Sequence, residues 1–175
     1  YPDFYTPQLN IDEVKNEIKI VYAGLLGVAQ GLYKICSDIT FTKNISLHIY
    51  GSGPETELIK MLKKPNIYYY GAIERELLHK ELLNCDIGFV PSINRIYGSV
   101  PSKIFELSRL GLPILYFAGG EGEDIVTDNN LGWNIPVADY EKLQFFIDSF
   151  SKDMLVDLSK NNIQTVSKNR FSFEK

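Results

Sequence analysis

Short β-branched runs recur along this chain, and each closes on a glycine-bearing turn before about ten residues of helical pattern. Ile18-Lys19-Ile20-Val21-Tyr22-Ala23 runs into Gly24-Leu25-Leu26-Gly27. A helix is then expected from Ala29 to Asp38, with Leu32, Ile35, Cys36 and Ile39 on one face. Ile45–Tyr50 runs into Gly51-Ser52-Gly53-Pro54 and a helix over Glu55–Leu62. Pro54 suits its first turn, where a missing N–H has no intrahelical role. Ile67–Tyr70 leads to Gly71 and a helix over Arg75–Leu83. Ile87–Val90 leads to a loop from Pro91 and then a helix that carries Glu106. Pro113–Phe117 leads to Gly119-Gly120-Glu121-Gly122 and a helix near Glu123–Thr127. Leu131–Val137 reads as a sixth strand interrupted by Gly132, followed by helices over Tyr140–Phe150 and Lys152–Lys168. Apolar strands that alternate with helices this closely must bury both faces, which requires crossover connections and parallel pairing.

The expected fold is therefore α/β: a Rossmann-like, doubly wound, mostly parallel sheet of about six strands with helices on both faces. Ligands of such sheets bind beyond the carboxyl ends of the strands, where the strand order reverses. At 175 residues the chain suits one domain with a sizeable core. Residues 1–17, with Pro2 and Pro7 among aromatics, read as a linker or arm with a helical turn over 11–17, and residues 18–175 as the folded domain. Tyr1-Pro2-Asp3-Phe4 reads like the middle of a protein, so the expectation is a fragment. A net charge of −4 with no basic block argues against nucleic acid as a partner. Cys36 and Cys85 are too few for a disulfide framework and read as reduced core thiols, which implies a reducing compartment. No apolar run reaches the eighteen residues of a membrane span.

The stretch most suited to chemistry is Pro91–Gly111. A strand, a loop holding Gly98-Ser99-Val100-Pro101-Ser102, and then a helix form the arrangement that binds phosphates. A diphosphate can take the free N–H groups at Pro101-Ser102-Lys103, with Lys103 adding charge. Glu106 lies one turn beyond Ser102, where an ionised carboxylate can accept from two sugar hydroxyls. The plainer account is a Lys103–Glu106 pair on a solvated face, worth a few tenths of a kcal/mol. Gly51-Ser52-Gly53-Pro54 serves equally as a turn or a ligand contact. Gly24-Leu25-Leu26-Gly27 departs from the GxGxxG spacing, which disfavours nicotinamide and flavin. His48 reads as a core or edge residue and His79 as surface. No Cys/His set has zinc spacing, and neither a P-loop nor a nucleophile elbow is present. Glu121, Glu123 and Asp124 start a helix, where acids favour the dipole.

Taken together, Val100-Pro101-Ser102-Lys103-Ile104-Phe105-Glu106 and Gly111-Leu112-Pro113-Ile114 resemble the C-terminal, nucleotide-sugar-binding half of GT-B fold glycosyltransferases of the group 1 type. The likeness is greatest to bacterial surface-polysaccharide transferases. Supporting matches are Tyr22-Ala23-Gly24, Ala29-Gln30-Gly31-Leu32, Gly51-Ser52-Gly53-Pro54, Asn66-Ile67 through Gly71, Cys85-Asp86-Ile87 through Pro91-Ser92, and Gly132. Arg170-Phe171-Ser172 resembles the family's text before its last helix.

The resemblance implies that Glu106 binds the nucleotide ribose and that Gly98, Ser99, Val100, Pro101, Ser102 and Lys103 surround the diphosphate. Ala72 and Ile73 match the loop beside the base. Gly24, Leu25, Gly27, Gln30 and Gly51 complete the expected donor site. Leu25-Leu26 and Gln30 occupy positions where many members carry an Arg and a Lys, and Gly98 stands where the family has a second Glu. The implied activity is retaining transfer of a sugar from a nucleoside diphosphate sugar, most simply a UDP-sugar, to a glycan or lipid-linked acceptor. No metal or other cofactor is implied. The implied partner is an N-terminal acceptor domain, and the fragment is expected to be inactive alone. The implied location is the cytoplasm, with peripheral contact at the inner membrane face in the full-length protein. Two alternatives stay open: the corresponding half of a UDP-sugar epimerase, and a degenerate GT-B domain kept for protein contact, with Tyr1, Phe4 and Tyr5 marking its surface.

Overall fold

The computed structural model describes residues 17–42 and 44–171. The proposed turn over 11–17, the aromatics Tyr1, Phe4 and Tyr5, and Ser172 of the Arg170-Phe171-Ser172 match lie outside the described residues, save Glu17 itself. Six strands form one sheet: β1 (Ile18–Ala23), β2 (Ile45–Tyr50), β3 (Ile67–Gly71), β4 (Ile87–Pro91), β5 (Ile114–Phe117) and β6 (Gly132–Asn134). Their order is β3-β2-β1-β4-β5-β6, and every adjacent pair is parallel. The expectation of a mostly parallel sheet is met in full among the described residues.

Among the described residues seven α-helices cover the sheet: α1 (Leu32–Asp38), α2 (Thr56–Met61), α3 (Arg75–Leu83), α4 (Ser102–Leu110), α5 (Glu121–Asp128), α6 (Tyr140–Ser149) and α7 (Lys160–Phe171). The strands' period of two divides their side chains between two cores. Ile18, Ile20, Leu47, Ile49, Phe89 and Phe117 meet Leu32, Ile35 and Cys36 of α1, Ile59 of α2, and Leu143 and Ile147 of α6. Val21, Val90, Ile114 and Tyr116 meet Leu82 of α3, Ile104 and Leu107 of α4, Val126 of α5 and Ile163 of α7. Each fully buried aliphatic side chain contributes about 1.5–3 kcal/mol of transfer free energy.

Several expected boundaries move, and glycine explains most of the shifts. The helix expected from Ala29 is split. Val28–Gln30 forms a 3-10 turn, Gly31 takes a left-handed φ of 67°, and α1 starts only at Leu32. A side chain at Gly31 would overlap Ile93, so this residue brings the β1 and β4 loops together. Pro54 lies in the turn before α2, which starts at Thr56 rather than Glu55. Helix α5 starts two residues before expectation, at Glu121, because Gly119 and Gly120 both have positive φ and end the loop sharply. Strand β6 is confined to Gly132–Asn134, so Gly132 begins it instead of breaking it. The last expected helix divides into a 3-10 segment over Lys152–Leu158 and α7, because Ser159 is extended. Cys36 is buried as expected, but Cys85 is only half-buried.

His48 is a core residue, 8% exposed. Its Nε2 lies 2.8 Å from Ser46 Oγ and its Nδ1 2.7 Å from Tyr70 Oη, while its ring stacks on Tyr68 and Tyr70. Burial pushes the imidazole down from its ordinary 6.5 to about 4; the Lys19 charge adds to this and Glu17 opposes it. The folded state thus binds this proton less readily than the unfolded state. The stabilisation is full above the unfolded value near 6.5 and disappears as the pH falls through about 4. Urea titrations between pH 7 and pH 4 should show up to about 3 kcal/mol of stability lost through this group. His48→Asn should flatten that part of the profile, and an unchanged slope would remove His48 as its source.

Candidate functional site

Strands β1 and β4 are neighbours, with Ile20 opposite Ile87 and Val21 opposite Gly88. The chain leaves β1 toward β2 and leaves β4 toward β5, so the connections part here. The loops after these two strands enclose a cleft of about 310 Å³. One wall is Tyr22, Ala23, Gly24, Leu25, Ala29 and Gln30; the other is Phe89–Ser92, Ile96, Pro101 and Lys103.

Backbone hydrogen bonds brace the walls. Leu26 N–H donates to Ser52 O at 3.0 Å, and Ile93 N–H donates to Ala29 O at 3.0 Å. Tyr22 Oη donates to Leu25 O. Burial, with the Glu55 charge adding to it, pushes the Tyr22 phenol up to about 12, so it remains a neutral donor. Gly51, at a φ of 133°, lies against the Gly24 backbone so closely that a side chain would overlap the Gly24 carbonyl. Gly51 therefore shapes the first loop from behind and does not line the cleft.

Helix α4 is aimed into this cleft by its packing. Ile104 and Leu107 face the core, and Gly88 leaves room for Leu107, which would stand 2.6 Å from any side chain begun there. No side chain caps the helix at Pro101. Ile104 N–H donates to Pro101 O at 3.1 Å, which leaves the N–H groups of Ser102 and Lys103 without an intrahelical partner, and the positive end of the dipole lies at the cleft wall. Lys103 reaches the cleft, and its Nζ donates to Glu106 Oε2 at 2.8 Å. Both side chains are about one-third exposed, at 34% and 30%. The arrangement can hold an anion against the helix end and a polyol one turn behind it.

The structure brings Gly24, Leu25, Gln30, Pro101 and Lys103 together in the cleft, with Glu106 directly behind Lys103. Ser102 opens α4 and is exposed. Val100 is half-buried against the core beneath the loop. Gly98 and Ser99 are exposed and stand outside the cleft wall; Gly98 has a φ of 70° and open space around it. Gly27 sits beside the Gln30 side chain, whose Oε1 is buried without a hydrogen bond among the described residues. Ala72 and Ile73 follow β3, two strands away from β1. Leu26 is fully buried, so of the pair Leu25-Leu26 only Leu25 faces outward, at 59% exposure.

Several contributors escape the sequence reading, Tyr22, Ile96 and His79 among them. Tyr22 and Ile96 are cleft residues whose role depends on which strands are adjacent. His79 was expected at the surface, but its Nε2 on α3 lies 3.6 Å from Glu106 Oε1. The helix text around His79 carries no sign of this, because the contact is made between α3 and α4. The remaining reactive groups do not offer a nucleophile. Burial pushes the Cys36 and Cys85 thiols up to about 12, far from thiolate. Among the described residues no cluster of His, Cys, Asp and Glu could hold a metal, and no helix is long and apolar enough to cross a membrane.

The sequence matches the family described as "Glycosyl transferases group 1" over residues 17–153. It is 28% identical over 162 residues to the probable glycosyltransferase WbjE of Pseudomonas aeruginosa, a match covering 87% of this chain and 40% of that protein. The fold is similar to Anabaena Alr3699/HepE, solved in complex with UDP-glucose, with a TM-score of 0.71 at 14% identity. That match covers 91% of this chain and 46% of HepE. It is also similar to the C-terminal domain of LpcC, a glycosyl transferase group 1 family protein from Francisella tularensis. There the TM-score is 0.66 at 17% identity, covering 93% of this chain and 91% of the other. The chain thus spans less than half the length of WbjE and of HepE.

A pair three residues apart on a helix that water still reaches is worth only about 0.3–0.5 kcal/mol. Lys103→Ala should therefore leave the urea-unfolding free energy within about 0.5 kcal/mol of the native value. A loss several times larger would make the pair structural and weaken the case for a ligand site.

Proposed function

Because this chain belongs to the group 1 glycosyl transferases and has the fold of their C-terminal GT-B domain, we propose that its cleft binds a nucleoside diphosphate sugar as the donor half of a transferase. The observation that carries this reading is the Lys103–Glu106 pair on the uncapped first turns of α4, beside the cleft where strand order reverses. The diphosphate takes the free N–H groups of α4 and the Lys103 ammonium. The ribose hydroxyls take the Glu106 carboxylate, which is acceptor-only when ionised. The base extends toward Ala72 and Ile73. UDP is the favoured nucleotide, supported by HepE having been solved with UDP-glucose.

Sugar transfer builds positive charge on the anomeric carbon and negative charge on the departing diphosphate. A preorganised helix end and a cation beside the leaving group stabilise the second of these charges. The reading assigns no metal, no cofactor and no general base to this half. Retention of configuration, a glycan or lipid-linked acceptor, and an acceptor-bearing N-terminal domain belong to the same proposal. Gly98 has no side chain to offer the sugar, so the sugar's remaining contacts come from backbone and from the facing domain. The setting proposed is the cytoplasmic side of the membrane, with peripheral contact.

Calorimetry with UDP, GDP and UDP-glucose tests the reading. UDP should bind, and Glu106→Ala should weaken it by about 10-fold or more, as expected for loss of hydrogen bonds to a charged group. Binding of UDP unchanged by Glu106→Ala, or no binding at millimolar nucleotide, would overturn the site.

A further inference from the structure

We propose that His79 is a positioning residue for Glu106, taking over the carboxylate when Lys103 turns to the diphosphate. The inference rests on the donor-site reading above and adds a residue to it.

Glu106 has two oxygens with unequal surroundings. Oε2 accepts from Lys103 Nζ at 2.8 Å. Oε1 faces His79 Nε2 at 3.6 Å, too far for a hydrogen bond. The His79 side chain is 34% exposed, yet Nε2 itself is shut off from solvent and has no hydrogen-bond partner among the described residues. A buried ring nitrogen without a partner is costly to maintain, and Glu106 Oε1, 3.6 Å away, is an acceptor placed to take its proton. His79 sits mid-way along α3, so the ring is held by a helix and not by a loop.

Lys103 has two competing partners. It pairs with Glu106, and it also forms part of the cleft wall where the diphosphate would lie. A diphosphate carries more charge than one carboxylate and draws the ammonium away. Glu106 then loses its cation at the moment it must hold two ribose hydroxyls. A side-chain adjustment of less than about 1 Å brings Oε1 within hydrogen-bond distance of His79 Nε2. Nε2–H donates to Oε1, and Oε2 is left open to the ribose. In its neutral form His79 serves as this donor when the proton is on Nε2, so the exchange needs no titration.

The test separates ligands with and without the diphosphate. Amide-shift titrations with UDP and with uridine would be run on the native chain, His79→Leu, His79→Gln and Glu106→Ala. Gln can place an N–H donor near the position of Nε2, and Leu cannot. His79→Leu should weaken UDP about 10-fold, the worth of a hydrogen bond to a charged group. His79→Gln should restore most of that affinity. Uridine, which leaves Lys103 on Glu106, should bind the native chain, His79→Leu and His79→Gln equally. The inference is overturned if His79→Leu binds UDP like the native chain, if Leu and Gln weaken it equally, or if uridine suffers as much as UDP. Native UDP binding that is lost in Glu106→Ala but untouched in His79→Leu would sink this inference alone. A native chain that binds neither ligand would sink the donor-site reading with it.

Discussion

Two parallel strands lie side by side while their connections depart in opposite directions, and the rest of the site depends on that divergence. Parallel pairing obliges each crossover to pack a helix on one face of the sheet. At β1 and β4 the crossovers go to opposite sides of the junction, so among the described residues neither connection closes the space above the carboxyl ends. The cleft is the gap that remains. Its walls are held by backbone bonds, from Leu26 to Ser52 and from Ile93 to Ala29, together with the side-chain bonds of Tyr22 to Leu25 O and Ser92 to Ala29 O. The two loops are thus tied to each other and to the β2 loop largely through their main chains.

Glycine is used here for proximity more than for flexibility. Gly88 lets α4 settle on β4 through Leu107, which fixes where the helix N-terminus points. Gly51 lets the β2 loop press on the Gly24 backbone, and Gly31 lets the β1 loop meet Ile93. Each of these positions lies in a different βα unit, yet all three converge on the same cleft. A side chain at any of them would displace one wall relative to another, so the geometry of the cleft is set by residues that do not line it.

The strands and their burial on both faces were legible in the sequence, because a β-branched run with both neighbours apolar has few other solutions. All six strands and helix α3 over Arg75–Leu83 fall where the pattern puts them, within a few residues. The helix starts were less legible. Gly31 and Gly120 adopt left-handed φ, and whether a glycine continues a helix or ends a loop depends on what it packs against. The same limit applies to the site. Glu106 and Lys103 are close in sequence and could be read together, whereas His79 joins them only because α3 and α4 pack side by side. Tyr22 is a strand residue by pattern and a cleft residue only once β4 is known to lie next to β1. What the sequence could not show was adjacency between elements.

The strength of the Lys103–Glu106 contact suits it to exchange. With both side chains about one-third exposed, the pair is screened by water and adds little to folding. Breaking it therefore costs little, far less than a diphosphate can return by pairing with the same ammonium in a cleft partly closed to solvent. A buried version of the pair would hold both groups more firmly, but freeing either would leave an uncompensated charge costing several kcal/mol. A fully exposed version would hold neither in place. The intermediate burial keeps two long side chains ordered beside the helix end while leaving them available. It also explains why a third group is needed: once the ammonium leaves, a half-exposed carboxylate has no fixed orientation unless a neighbour on a rigid element, here His79 on α3, takes its second oxygen.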